Sequence, residues 1–168
     1  MQSQAAPQVA TQAAAQPDIG NSPEIAARRR WMAVLARASA EAMQACLAGA
    51  PALPRHVTLR GPESGLVMLR GRAGGAGAAF NLGEMTVTRC TVRAGNHVGH
   101  ATVTGRDAAR AELAARLDAA LQDPALHDPL HAHVIEVLAR RQHDARQETA
   151  RKAAATQVKF FTMATMRS

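Results

Sequence analysis

The sequence predicts an α+β protein: a mainly antiparallel sheet of about four to five strands, with an N-terminal helix and two C-terminal helices. Three observations predict it. Apolar residues recur at helical spacing before Gly49 and again after Arg106, whereas between His56 and Gly105 they alternate. The links between these stretches carry Gly, Pro and Asn, the residues of turns. A hydrophobic fraction of 47% in 168 residues suffices for one domain with its own core.

The elements follow in chain order. Met1 to Ser22 is rich in Gln, Ala and Pro with Asp18 as its one charge, and is expected to be a disordered leader to a single domain over 23–168. Ser22-Pro23-Glu24 reads as a helix start, with Ser22 as N-cap, Pro23 in the first helical position and an acid in the first turn. Met32, Leu35, Ser39, Met43, Cys46 and Leu47 then trace one stripe until Gly49 and Pro51 stop the helix. HVTLR (His56 to Arg60), GLVMLRGR (Gly65 to Arg72), EMTVTRCTVR (Glu84 to Arg93) and HVGHATVTG (His97 to Gly105) read as four strands. Ala94-Gly95-Asn96 is short enough for a hairpin. In the third strand Met85 and Val87 share one face while Cys90 and Val92 share the other, so a bulge near Thr88 and Arg89, or cover on both sides, is expected.

Arg106 to Gln122 reads as a helix with Leu113, Leu117 and Leu121 on one face and Asp107 in its first turn, ended by Pro124. A second, from about Leu126 to Thr156, begins with Leu130, Val134, Val137 and Leu138 and turns into RRQHDARQETARKAAAT. A helix without an apolar face is either solvated or covered by another protein. VKFFTM (Val158 to Met163) holds two of the four aromatic residues, and Val158, Phe160, Phe161 and Met163 are candidates for docking on a partner.

Composition narrows the partners. Twenty basic residues against 13 acidic give a net charge of +7, which favours anions or acidic surfaces. With 3 Phe, 1 Trp and no Tyr there is little on which to stack bases, so nucleic acid is disfavoured. Cys46 and Cys90 form no CxxC pair, and no apolar run reaches the ~18 residues of a membrane span, so a cytoplasmic chain without a metal is expected.

The stretch RGRAGGAGAAFNLGEMTVTRC (Arg70 to Cys90) carries most of the chemistry. Its glycines beside Arg70 and Arg72 could cradle a phosphate, but a strand-like segment follows instead of a helix, which excludes a P-loop or dinucleotide fingerprint. Arg70, Arg72, Asn81, Glu84 and Arg89 are candidates for an anion site or a subunit interface, weighed against a loop and cross-strand pairing. Glu84, Thr86, Thr88 and Cys90 alternate onto one face and Arg89 onto the other. Glu84 has no second acid nearby for paired-carboxylate catalysis. His127, His131 and His133 offer at most two on one helical face and no HEXXH, so no metal ligands are assigned. Cys90 reads as a small buried hydrophobe rather than a nucleophile. From Arg55 to Arg106 seven arginines face two glutamates, a balance of +5. The residues by themselves thus describe a basic α+β subunit without a complete catalytic constellation, the alternative being a non-enzymatic module that binds anions or nucleic acid.

Four blocks go further. RRRWMAVLARAS (Arg28 to Ser39), LRGPESGLVMLRGRAGGAGAAFNLGEMTVTRC (Leu59 to Cys90), GHATVTGRD (Gly99 to Asp107) and KAAATQVKFFTM (Lys152 to Met163) closely resemble the PhnG family, a subunit of the bacterial carbon-phosphorus lyase core complex. The resemblance runs from about Ala27 to Met166 and departs in the Gln/Ala leader and at Ala79, where many relatives are expected to carry Pro. It implies an accessory subunit of phosphonate catabolism, a hetero-oligomer with H, I and J type subunits, the I type in direct contact. With H, I and L the complex would form ribose 1-methylphosphonate 5-triphosphate from ATP and methylphosphonate, as a transferase. The nucleoside triphosphate is then a substrate of the complex and the iron-sulfur cluster sits on a different subunit, so no cofactor is expected in this chain.

Overall fold

The computed structural model describes residues 22–72 and 77–156. Helix α1 (Pro23–Leu35) starts as expected, the Ser22 hydroxyl accepting from the Ile25 N–H at 3.3 Å and Pro23 filling a position that needs no donor. Helix α2 is Ala40–Leu47. The single N-terminal helix of the sequence reading is therefore two helices. Ser39 causes the break: its extended backbone lets the side chain accept from the Ala42 N–H at 3.2 Å, an N-cap that competes with continuing α1. The apolar stripe survives, with Leu35, Met43 and Cys46 all buried.

Three strands follow, β1 (Val57–Arg72), β2 (Ala79–Ala94) and β3 (His97–Thr104), forming an antiparallel sheet in the order β1-β2-β3. Among the described residues the count is three rather than four to five, because HVTLR and GLVMLRGR are one strand. Gly61-Pro62 does not end it. β1 lies at the sheet edge, and the register slips between Arg60 and Glu63 by one residue, so the proline sits in a bulge where its missing N–H costs no ladder bond. β2 and β3 close through a two-residue hairpin, Ala94 opposite His97, with Gly95 at φ +57°. No bulge occurs at Thr88 or Arg89: the β2–β3 register is unbroken, and Val87 and Thr88 are both buried, so the strand is covered on both sides there.

Helix α3 (Ala108–Ala120) lies on one face of the sheet, its N-cap being Asp107, which accepts from the Arg110 N–H at 2.9 Å. Thr88, Cys90, Val92 and Ala94 of β2, with Gly99, Ala101 and Val103 of β3, form the face beneath α3. Alanines bring the two layers close, and a Cβ on Gly99 would collide with the Ala115 carbonyl oxygen and lie 2.5 Å from the Ala119 nitrogen. Helices α1 and α2 rest on α3. Helix α4 (Pro124–Leu130) is capped by Asp123, a π-helical turn covers His131–Glu136, and α5 is Val137–Ala155. The expected helix from Leu126 to Thr156 is thus interrupted. Pro129 inside α4 withdraws a backbone donor, and the wider turn follows directly. Only Leu138 of α5 is buried, and every residue from His143 to Thr156 is exposed.

Candidate functional site

Beyond Thr104, where β3 ends opposite Val87, the strands β1 and β2 continue as a two-stranded ribbon. Its outer half, Gly65–Arg72 paired with Ala79–Val87, leaves Leu66 61%, Met68 54%, Phe80 46% and Leu82 61% exposed. A ribbon of two strands is marginal alone in water, and so many exposed apolar side chains make it the candidate contact surface.

The register decides which side chains meet. Partners across an antiparallel pair share a face. Ser64 pairs with Thr88, Leu66 with Thr86, Met68 with Glu84, Arg70 with Asn81 and Arg72 with Ala79. Four of the five candidate residues, Arg70, Arg72, Asn81 and Glu84, therefore gather on the face that continues the α3 side of the sheet. Thr88 anchors that face, its hydroxyl donating to the Gly105 carbonyl at 2.7 Å and lying 3.0 Å from the Ser64 hydroxyl. Arg89 is separated from the other four, being opposite Glu63 on the reverse face, as the alternation requires. Glu63 pairs with Arg60 at 2.5 Å.

The reverse face of the ribbon is apolar. Val67, Leu69, Met85 and Val87 follow by alternation, and Phe80 joins them opposite Gly71. A further register shift, between Leu69 and Arg70, places Leu82 at a bulge, where its side chain occupies the space a Cβ on Gly71 would take. The glycine-rich stretch thus joins two strands. Residues 73–76 lie outside the described ones, as do Val158, Phe160, Phe161 and Met163 and the leader up to residue 21.

Within the body the one fully buried carboxylate among the described residues is spent on structure. Asp118, fully buried on α3, accepts from Arg28 Nε at 3.2 Å and Nη2 at 2.7 Å, from the Trp31 indole N–H at 2.9 Å and from the His100 backbone N–H at 2.9 Å. Every lone-pair direction of that carboxylate is occupied, so it joins α1, α3 and β3 rather than serving as a base. Sequence reasoning missed this hub, and the lone Trp beside three arginines was its only signal. Two clefts of about 650 and 640 Å³ flank Trp31 and His127. The His127 Nδ1 lies 2.7 Å from the Leu121 carbonyl, and its ring stacks on His131 at 5.7 Å between centroids. No group of three or more His, Cys, Asp or Glu is placed to hold a metal ion among the described residues. Cys90 is buried, and desolvation, helped by the Glu112 carboxylate, pushes its thiol above the ordinary range against a smaller backbone hydrogen bond at Thr91. Such a thiol is a poor nucleophile.

An α3-backed sheet with a protruding apolar ribbon, and with its buried carboxylate Asp118 fully paired, has the build of an interaction subunit. The chain matches the family described as phosphonate metabolism protein PhnG over residues 26–166. It is 44% identical over 140 residues to the alpha-D-ribose 1-methylphosphonate 5-triphosphate synthase subunit PhnG of Rhizobium meliloti (strain 1021), covering 83% of this chain and 89% of that one. The chain belongs to the PhnG family. Among the described residues no helix is long and apolar enough to cross a membrane.

Proposed function

We propose that this chain is an accessory, non-autonomous subunit of ribose 1-methylphosphonate 5-triphosphate synthase. It works in the cytoplasm with H, I and L type subunits on ATP and methylphosphonate, within a complex that also holds a J type subunit. The observation that carries the reading is the protruding ribbon, whose apolar residues stand exposed where a chain acting alone would bury them. The relative's name supports the complex. Residues 23–168 act as one domain, the reacting groups and any iron-sulfur cluster belong to other subunits, and this chain supplies contact area and positive charge. Arg70, Arg72, Asn81 and Glu84 line a subunit interface or the nucleotide-bearing cavity, and the segment with Val158, Phe160, Phe161 and Met163 adds a second contact, to the I type subunit.

Coexpression with the neighbouring subunits, the mass of the intact assembly, and an assay with this chain omitted test the reading. The expected result is an assembly containing this chain and loss of ribose-phosphonate formation without it. Release of base from ATP by the isolated chain would make it an enzyme in its own right. Binding to duplex DNA with a steep salt dependence that persists at physiological salt would instead favour the basic module.

A further inference from the structure

The face of the sheet away from α3 changes character along its length. Toward the ribbon's free end it is apolar, with Val67, Leu69, Phe80, Leu82 and Met85. Toward the body it is mainly basic, with Arg60 opposite Thr91, Arg89 opposite Glu63, and Arg93 between Val98 and the exposed Val57. Arg60 is held by Glu63, but neither Arg89 nor Arg93 has a carboxylate within ion-pair distance among the described residues. We propose that this whole face is a docking surface for another subunit of the synthase, one that presents an apolar patch continuing into carboxylates that meet Arg89 and Arg93. The inference rests on the subunit reading above and adds to it the face and the partner's chemistry.

Charge selects the occupant. A second copy of this chain would set Arg89 and Arg93 against the same arginines or against the apolar strip, and the one carboxylate of the face, Glu63, is already taken by Arg60. Like charges brought together at an interface oppose association, so self-pairing is disfavoured. A polyanion such as nucleic acid would suit the arginines and leave the apolar half uncovered. A protein surface with both features satisfies both halves.

The test uses the full chain coexpressed with its partner subunits. Phe80→Asp with Leu82→Asp places charges in the apolar half and should lower the affinity for the assembly by about 100-fold or more. Because both side chains are exposed in the free chain, its melting temperature serves as the control for folding. Arg89→Glu with Arg93→Glu should slow association and weaken its dependence on salt. Amide hydrogen exchange needs no variant: residues 65–72 and 79–86 should exchange at least about tenfold more slowly in the assembly than in the free chain. Unchanged exchange, or an aspartate variant that assembles at wild-type affinity, overturns the proposal and leaves the subunit reading standing. A homodimer of the isolated chain that the aspartate pair dissolves, or nucleic-acid binding that the glutamate pair abolishes, overturns it in favour of those occupants. If the unaltered chain fails to join the assembly, the subunit reading falls and this one with it.

Discussion

Asp118→Ala strands the donors that converge on one carboxylate. The Arg28 guanidinium is 31% exposed and recovers water, but the Trp31 indole N–H and the His100 amide lose their acceptor in the interior. A loss of about 2–4 kcal/mol is expected from a buried network broken on one side, read from urea unfolding. Asp118→Asn, which keeps one acceptor, should cost less. Cys90 gives a pH-dependent prediction. Its folded thiol is raised by burial and Glu112, so as the pH passes about 8.5 the unfolded chain loses that proton first. The unfolded state then binds fewer protons than the folded one, and stability falls with rising pH, whereas below that range the thiol contributes no slope. Urea midpoints at pH 7 and 9.5 should separate more for the wild type than for Cys90→Ala. At this scale the sequence was readable where the pattern is local. Alternation alone puts Glu84, Thr86 and Thr88 on one face and Arg89 on the other. The Asp118 hub was not readable, because its side-chain partners stand 87 and 90 positions away.

The strands and helices tell a similar story. β2 and β3 were legible because alternation and the Gly95-Asn96 turn agree, and α3 because its leucines share a face. Gly61-Pro62 falls between HVTLR and GLVMLRGR, and only the edge position with its slipped register explains why pairing continues past it. The paired placement of Arg70 with Asn81, and of Met68 with Glu84, depends on that register and on the bulge at Leu82, neither of which has a local signal. Gly99 gives the prediction that belongs to elements. It is the point where β3 meets the alanine stripe of α3, and a methyl group there would press on the Ala115 carbonyl, a backbone atom that cannot rotate away. Gly99→Ala should therefore cost about 1–3 kcal/mol by forcing the layers apart, although alanine is the better strand residue. Gly71→Ala is the contrast. There the obstacle is the end of the Leu82 side chain, which can turn aside, so the melting temperature should change by less than for Gly99→Ala.

On the scale of the molecule, the core is built largely from small side chains. Eight of the 22 residues in the buried cluster are alanines, and Trp31 is its one aromatic member. Small side chains bury little area each, which limits the stability the body can reach alone. Meanwhile the ribbon carries its large apolar side chains outward, so the free chain leaves in water the groups that would otherwise have deepened its core. In the proposed assembly these groups are covered, which couples binding to folding by mass action. With partner subunits at about 100 times the dissociation constant the folded state gains about 2.7 kcal/mol. For a domain of this size each kcal/mol moves the midpoint by about 2–4 °C, so the assembled chain should melt about 5–10 °C above the free one. Differential scanning calorimetry on the chain alone and in the presence of its partners measures that shift. A free chain that melts at the same temperature as the assembled one would mean that its body is sufficient by itself, and that the ribbon contributes to function without contributing to stability.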